Sequence, residues 1–236
     1  MKLQKLYSYT RQAINDFQLI QDGDKIAIGV SGGKDSLALL YALSGLKKFI
    51  PENIELVAIT IDLGYDNFDT KEIQKLCEKL EIEFHLVKTQ IAQILKAKIQ
   101  NGSYCSLCAK MRKGALTDFA KQIGCNKIAY AHHKDDFIET MLLSLFYEGQ
   151  FFSFPPIKYF EDVDITVIRP MIYIPEKDII GFQNKMKFDS VKNPCPFDKN
   201  TKRESVKKLL QQIQKENPNV KEKMFNAILK GKIYQW

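Results

Sequence analysis

This sequence of 236 residues has no stretch close to the roughly 20 uninterrupted apolar residues that a membrane-spanning helix needs. Its first 17 residues also lack the continuous apolar core of a secretion signal, so we expect them to remain in the mature protein. These two absences predict a cytoplasmic protein without a membrane partner. Because that compartment is reducing, structural disulfides are not expected among the five cysteines.

An excess of positive over negative charge is found only at one end of the chain. The formal net charge is +7, and the segment 199–236 alone carries ten Lys or Arg against three acids, which equals the whole excess. Such a segment, ending in Tyr234 and Trp236, has the composition that follows a phosphate backbone and stacks on bases. A lysine-rich solvated helix face is the alternative interpretation.

No internal repeat and no low-complexity linker interrupts the chain, and short apolar runs alternate with helical patterns. The alternation predicts an α/β fold with a doubly wound, mostly parallel sheet, covered on both faces. The predicted strands are 25–30, 54–61, 83–87, 127–131 and 167–174. The predicted helices are 35–46, 69–81, 90–99, 106–123, 135–147, 176–186, 201–216 and 219–230. Residues 151–160 are expected to form an exposed loop or lid. We expect one domain over 1–190, followed by a helical, basic extension over 191–236.

A glycine-rich segment, SGGKDS at 31–36, lies between the first predicted strand and helix. Adjacent glycines let the backbone turn sharply, so that amide groups and the helix N-terminus can approach an anion. A Walker A loop is excluded, because Ile28 stands where its first glycine is needed and Asp35 stands where Ser or Thr is needed. The segment therefore predicts a different kind of phosphate site, formed by Ser31, Gly32, Gly33, Lys34, Asp35 and Ser36.

The fourth strand leads into HHKDDFIET at 132–140. Asp136 and Glu139 are three residues apart and share a helical face, where carboxylates beside phosphates suit Mg²⁺. His132 or His133 can hydrogen-bond a phosphate or a developing oxyanion. Acids in a first helical turn are also ordinary capping residues, so each residue alone has a structural interpretation.

Three of the cysteines have an informative spacing. Cys105 and Cys108 form a C-x-x-C pair at the start of a helix, and Cys195 follows much later between two prolines. The spacing is compatible with an iron–sulfur cluster, a zinc site or a redox dithiol, although a zinc site commonly has a second pair and none is present. Cys77 and Cys125 lie in helical patterns and are predicted to be packing residues.

These motifs together carry a resemblance to a known family. SGGKDS resembles the PP-loop of the ATP pyrophosphatase superfamily, whose fold is the adenine nucleotide alpha hydrolase type. HHKDDFIET resembles the H-H-x-D-D-x-x-E-T element of tRNA-modifying members. CSLCAKMRKGAL, IRPMIYIPEKDI and the downstream Pro-Cys are similar to segments of the tRNA 2-thiocytidine synthetase family. The matched motifs cover residues from about 25 to 196.

The resemblance implies a function and a set of site residues. It implies an ATP-dependent tRNA thiolase that adenylates C2 of an anticodon-loop cytidine, replaces the oxygen by sulfur, and releases AMP and pyrophosphate. It implies that Cys105, Cys108 and Cys195 hold a 4Fe-4S cluster and act in catalysis with Asp136 and His133. ATP, with Mg²⁺, would contact the phosphate loop together with Asp62 and His132.

The resemblance also implies partners and leaves alternatives. The expected partners are tRNA, with Arg112 and Arg169 as backbone contacts, and a sulfur donor such as a cysteine desulfurase; we also consider a homodimer. Many relatives carry a further cysteine where this chain has Asp198. The terminal zinc-binding cysteine pairs of thiouridine-forming relatives are absent from the sequence, which favours cytidine over uridine. A lysidine synthetase, a 2-thiouridine-forming enzyme and a non-catalytic ATP- and cluster-binding sensor are the alternatives.

Overall fold

The computed structural model describes residues 1–66, 68–98, 104–191, 195 and 202–234. The helices in these ranges are α1 (Leu3–Phe17), α2 (Lys34–Leu46), α3 (Lys71–Lys79), α4 (Ile91–Lys98), α5 (Tyr104–Gln122), α6 (Lys134–Glu148), α7 (Glu176–Met186), α8 (Lys202–Glu216) and α9 (Val220–Lys230), with a 3₁₀ turn at Glu161–Val163. The strands are β1 (Lys25–Gly29), β2 (Glu55–Asp62), β3 (Glu83–Lys88), β4 (Lys127–Ala129), β5 (Ile157–Phe160) and β6 (Ile165–Ile168).

The strands form one sheet in the order β3-β2-β1-β4-β6-β5. Every neighbouring pair is parallel except β5 and β6, which are antiparallel at the edge. The chain proceeds outward from β1 to β2 and β3 on one side, then returns to β4 on the other. β1 and β4 therefore flank the switch point of the sheet, which is where ligands bind in open α/β folds. The predicted fold class is confirmed.

Alternate residues of the central strands enter two separate cores. In β1, Ile26 and Ile28 face a large core that includes residues of α1, α2, α3 and α6 to α9. Ala27 faces a smaller core, where Leu116 and Ala120 of α5 cover the sheet. Both faces of the strands are thus buried, which is why the strands read as continuous apolar runs. Cys77 and Cys125 are buried in these cores, as predicted for packing residues.

An N-terminal helix, α1, was not among the predicted elements. Its buried residues Leu6, Thr10, Ala13 and Ile14 recur at helical spacing, and α1 packs against α2. The segment therefore carries a helical signal in the spacing of its apolar residues.

Two expectations for the region after α6 are wrong in part. Residues 151–160 are not simply an exposed loop, because 157–160 form β5 and Ser153 is fully buried, donating to the Phe137 carbonyl at 2.8 Å. The last strand, expected at 167–174, spans Ile165–Ile168 instead. Pro170 has no N–H to donate, so a strand ladder cannot continue through it.

The C-terminal helices α8 and α9 pack on α6 rather than standing apart from the sheet domain. Val206 and Leu210 of α8, and Phe225 and Ile228 of α9, are buried in the larger core. Within the described part of the chain, no helix has both the length and the apolar character to cross a membrane.

Candidate functional site

The phosphate loop lies at the switch point, between β1 and α2. Gly32 has φ +81°, and a Cβ atom there would lie 2.7 Å from the Cβ of Val191, so glycine is required both by conformation and by space. The Ser36 hydroxyl accepts from the Ser31 amide at 3.2 Å and donates to the Gly33 carbonyl at 2.9 Å. These bonds hold the loop in a fixed turn before any ligand binds.

The N-terminus of α2 opens onto a cavity of about 630 Å³. The residue that caps this helix is Gly33, which has no side chain to satisfy the first-turn amides. The cavity is lined by Ser31, Gly33, Lys34, Asp35, Ile61, Asp62, Leu63, Tyr65, Phe68, Arg112, Val191 and Lys207. Its volume is in the range of small-molecule sites, and its amides, hydroxyls and cations are suited to a polyphosphate.

Two lysines in this cavity share one carboxylate. Glu176, the first residue of α7, accepts from Lys34 Nζ at 3.0 Å and from Lys207 Nζ of α8 at 3.2 and 3.3 Å. Burial opposes ionisation of this carboxyl, but the two lysines bring the pKa of Glu176 down to about 2. Lys34 also donates to Asp35 at 3.0 and 3.1 Å. The pKa of Glu176 is lowered and the pKa values of Lys34 and Lys207 are raised, so these three groups are charged at neutral pH.

A second cavity of about 400 Å³ adjoins the first, and Ser31, Asp35, Ile61 and Arg112 line both. It is further lined by Gly29, Val30, Ser36, Ile59, Ala109, Lys113, Leu116, Tyr130, Ala131, His132, Asp136 and Arg169. Its walls combine apolar strand residues with several cations, a composition that suits a planar base attached to phosphates. Arg112, one turn beyond Cys108 on α5, stands at the junction of the two cavities.

His132 lines the second cavity as a neutral side chain. Burial and the neighbouring Arg169 guanidinium lower the pKa of His132 to about 4. Arg169 Nε donates to His132 Nδ1 at 3.2 Å, and its Nη1 donates to the Pro155 carbonyl at 2.6 Å. Phe154 packs on both groups, with its ring centroid 4.7 Å from that of His132. Arg169 is thus 9% exposed, is engaged internally and lines the second cavity, and its expected contact with a nucleic-acid backbone stays a prediction.

His133 is the N-cap residue of α6. Its Nδ1 accepts from the Asp136 amide at 3.4 Å, and the Asp136 carboxylate accepts from the His133 amide at 3.0 Å, which completes a capping box. His133 Nε2 lies 3.8 Å from Asp35 Oδ1, so the imidazole connects the phosphate loop to the start of α6. The structural role of these residues as caps is therefore present beside any catalytic one.

The carboxylates of Asp136 and Glu139 do share one face of α6. Arg203 of α8 binds both, with Nη1 at 2.9 Å from Asp136 Oδ1 and 3.3 Å from Glu139 Oε2. Burial raises the pKa of Glu139 to about 7, although Lys207 and Arg203 act to lower it. The acid pair proposed for Mg²⁺ is therefore already bridged by Arg203 of α8.

The three cysteines of interest are not in disulfide bonds and lie in one neighbourhood. Burial raises the pKa of the Cys108 thiol, Arg112 acts to lower it, and the nearby Cys195 and Cys105 raise it further. Burial, together with Tyr104 and Cys195, also raises the pKa of Tyr65, which lines the larger cavity. Cys195, 87 positions after Cys108 in sequence, thus lies beside the pair and near the cavity wall.

Their arrangement does not yet form a metal centre. Across the described residues, no three His, Cys, Asp or Glu side chains are close enough together to bind a metal ion. The donor set nevertheless fits an iron–sulfur cluster, because three cysteine thiols, partly open to solvent, match three-cysteine ligation with one open iron.

The structure also gives the positions of other residues for which the sequence predicted a role. Asp62 ends β2 and lines the larger cavity, where its Oδ1 accepts from the Gly64 amide at 2.9 Å. Tyr234 is half-buried with its ring 6.1 Å from that of Phe137, a packing position rather than a base-stacking one. Asp198 and Trp236 lie outside the described residues. In the basic tail, Arg203, Lys207 and Lys221 form ion pairs with acids of α6 and α7.

The sequence reasoning missed several residues of the site. Tyr65 and Phe68 follow Asp62 closely, so their position after a central strand was an available signal. Tyr130 lies shortly before the two histidines, so its place in the site could likewise have been predicted from the sequence. Glu176 and Lys207 carried no local signal, because their role arises only when α7 and α8 pack beside the loop.

Comparison with known proteins gives a consistent result. The PP-loop domain family matches residues 4–213. The tRNA-cytidine(32) 2-sulfurtransferase of Geobacter sulfurreducens is 40% identical over 231 residues, 97% of this chain and 90% of the relative. The protein of that name from Alcanivorax borkumensis is 39% identical over 230 residues, 96% of this chain and 81% of the relative.

Among solved structures, the U34-tRNA thiolase NcsA from Methanococcus maripaludis, solved with its 4Fe-4S cluster, has a TM-score of 0.77. The likeness covers 99% of this chain and 79% of that one at 23% identity, so it shows the fold. The NH₃-dependent NAD synthetase from Campylobacter jejuni matches with a TM-score of 0.53 at 18% identity, over 100% of this chain and 97% of that one.

The phosphate loop at the switch point and the extent of the domain match together define a PP-loop protein, and the chain belongs to that family. At the identity and coverage of its relatives, it belongs within that class to the tRNA-cytidine(32) 2-sulfurtransferase family.

Proposed function

We propose that this chain is an ATP-dependent tRNA sulfurtransferase, which adenylates C2 of cytidine 32 and replaces its oxygen by sulfur. The observation that carries the proposal is the proximity of three cysteine thiols to the wall of a cavity that opens onto the phosphate loop. Family membership supports the choice of base, since the relatives are named for cytidine(32).

ATP binds in this proposal with its pyrophosphate portion on the loop formed by Ser31, Gly32, Gly33, Lys34, Asp35 and Ser36. The α2 amides and the Lys34 ammonium stabilise the charge that develops on the leaving group. We propose that Mg²⁺ accompanies the phosphates, with Asp35 and Asp62 as the nearest cavity-lining carboxylates. Asp136 acts alongside them while paired with Arg203.

The base enters the second cavity, which adjoins the phosphate loop. A base in a loop must leave its stack to reach an enclosed site, at a cost of a few kcal/mol. Neutral His132 can direct a hydrogen bond at a base or phosphate without adding charge, and buried His133 holds Asp136 and faces Asp35. Arg112, at the junction of the cavities, is placed to contact the α-phosphate.

The chemistry is a two-step exchange. The C2 oxygen forms a bond to the α-phosphorus while the bond to the β-phosphate bridge breaks, which releases pyrophosphate. Sulfide then adds at C2, and AMP departs with the original oxygen. Cys105, Cys108 and Cys195 would hold the 4Fe-4S cluster, which supplies an open iron site for the incoming sulfur. A cysteine desulfurase is the proposed sulfur source, and the cytoplasm is the proposed location.

Nucleoside analysis of tRNA tests this proposal in cells that lack the chain. We expect 2-thiocytidine to disappear and to return when the wild-type chain is restored. Cys105→Ala and Cys195→Ala should fail to restore it, whereas Cys125→Ala, which removes a thiol buried in the smaller core, should succeed. Loss of 2-thiouridine or lysidine in place of 2-thiocytidine would assign another base or reaction, and an unchanged nucleoside profile would favour a sensor.

A further inference from the structure

The C-terminal helix α8 contributes a side chain to the nucleotide cavity. Lys207 lines the cavity beside Ser31, Gly33 and Lys34, although it lies 173 positions beyond Lys34 in the sequence. Its side chain is 29% exposed and lines the cavity. The next residue along the helix, Lys208, is exposed and is not part of the lining.

One carboxylate sets the position of this lysine relative to the phosphate loop. Glu176 receives Lys34 at 3.0 Å through Oε1 and Lys207 at 3.2 Å through Oε2. The two ammonium groups are therefore held side by side, as a pair directed at one cavity. Lys207 is also 3.9 Å from Glu139, which limits how far its side chain can turn away.

The donors of this cluster are suited to a polyphosphate. Two ammonium groups share Glu176 and Lys34 also pairs with Asp35, so the formal charges of the four side chains balance, while both ammonium groups line the cavity as hydrogen-bond donors. Phosphate oxygens accept charge-assisted hydrogen bonds from lysine, and a second ammonium beside the first lets one ligand bridge both. A nucleoside monophosphate, which has only one phosphate group, cannot span the pair in the same way.

We propose that Lys207 is a phosphate-binding residue of the nucleotide site, which works with Lys34 to bind the β- and γ-phosphates of ATP. The inference rests on the proposed ATP-dependent function and extends it, because it assigns part of the nucleotide site to the C-terminal extension. The competing role for Lys207 is that of an anchor, which attaches α8 to α7 through Glu176 and touches no ligand.

Calorimetric binding to the full-length protein, without tRNA or sulfide, distinguishes these roles. The probes are Mg²⁺ with pyrophosphate, with a non-hydrolysable ATP analogue, and with AMP. Lys207→Gln should weaken binding of pyrophosphate and of the ATP analogue by about tenfold or more, while AMP binding stays within about twofold. Lys207→Arg should retain most of the affinity, and Lys208→Gln, the matched control on the same helix, should bind all three as the wild type does.

Urea unfolding of the same variants shows whether a loss of affinity results from a folding defect. If Lys207→Gln lowers the affinity for all three probes together with stability, the lysine is an anchor and the proposal is overturned. It is equally overturned if Lys207→Gln binds pyrophosphate as Lys208→Gln does. A wild-type protein that binds ATP and shows the Lys207 effect, yet forms no thiolated base, would refute the proposed function and leave this inference standing. A wild type that binds neither ATP nor pyrophosphate would refute both.

Discussion

Two buried titratable groups near the start of α6 respond to pH in opposite directions. The pKa of His132 is lowered to about 4 by burial and Arg169, so the unfolded chain binds more protons than the folded one between pH 4 and 6.5. Stability from this residue falls as pH falls through that window. The pKa of Glu139 is raised to about 7 by burial, so the folded chain binds more protons between 4.5 and 7, and stability falls as pH rises.

Because the two effects oppose each other, a single variant is needed to separate them. Replacing His132 by Gln keeps an acceptor for Arg169 and removes the titration. When the pH is lowered from 6.5 to 5, the free energy of unfolding of His132→Gln should increase by about 1.5 kcal/mol relative to that of the wild type. Urea unfolding at both values measures the difference, with His85→Gln on β3 as a control that leaves His132 in place. A difference that does not change with pH would mean that His132 is not held neutral by the fold.

At the scale of elements, α8 is attached to α6 through charge as well as through apolar packing. Arg203 bonds Asp136, Glu139 and the Thr140 hydroxyl, while Val206 and Leu210 enter the core. Glu139 is almost fully buried, and a buried carboxylate that loses its cation is costly. The orientation of the first turn of α6, where His133 and Asp136 lie, therefore depends on a helix far along the chain.

Replacing Arg203 by Gln should lower the free energy of unfolding by about 1–2 kcal/mol. This loss of stability is expected to be moderate because Arg203 is 39% exposed and because Lys207 remains near Glu139. The pKa of Glu139 should rise further, since Arg203 is one of the groups that lower it. Arg11→Gln, at an exposed position on α1, is the control and should change stability by less than about 0.5 kcal/mol. Equal stability of the two variants would show that the Arg203 pairs contribute nothing.

Features encoded by residues close together in the sequence could be predicted, whereas features formed by residues far apart in the sequence could not. Strands β1 to β4 and the loop at 31–36 were predictable because apolar runs and adjacent glycines are local signals. β5 was missed because it lies in an aromatic, proline-rich stretch and is defined by pairing with β6. The junction of Lys34, Glu176 and Lys207 was beyond prediction because it joins three separate elements across more than 140 positions.

At the scale of the whole molecule, the ion pairs and buried residues of α8 and α9 indicate that these helices belong to the same folded unit as the sheet. Lys221 of α9 bonds Asp135 at 2.6 Å, and Lys134 pairs with Glu222, so α9 is tied to the start of α6. The family match also continues through α8, to residue 213. We propose that the expected boundary between 1–190 and 191–236 separates elements of one cooperative unit rather than two independent domains.

A chain that ends at residue 190 tests this view. Without α8 and α9, it exposes the apolar surface that Val206, Leu210, Phe225 and Ile228 cover, and it leaves Glu139 without Arg203 and Lys207. We expect it to aggregate or to unfold without a cooperative transition when monitored by circular dichroism. Cooperative thermal unfolding of the shortened chain, at a temperature near that of the full-length protein, would instead support an autonomous first domain.

The most direct test of the central claim is the stoichiometry of products from one anaerobic reaction. The full-length protein, reconstituted with iron and sulfide, is mixed with unmodified tRNA, Mg²⁺, ATP and sulfide, and nucleosides and nucleotides are quantified by mass spectrometry and phosphate analysis. We expect one AMP and one pyrophosphate for each 2-thiocytidine formed at position 32. AMP and pyrophosphate released without thiolated cytidine, or in excess over it, would contradict the assignment of sulfur transfer to this site.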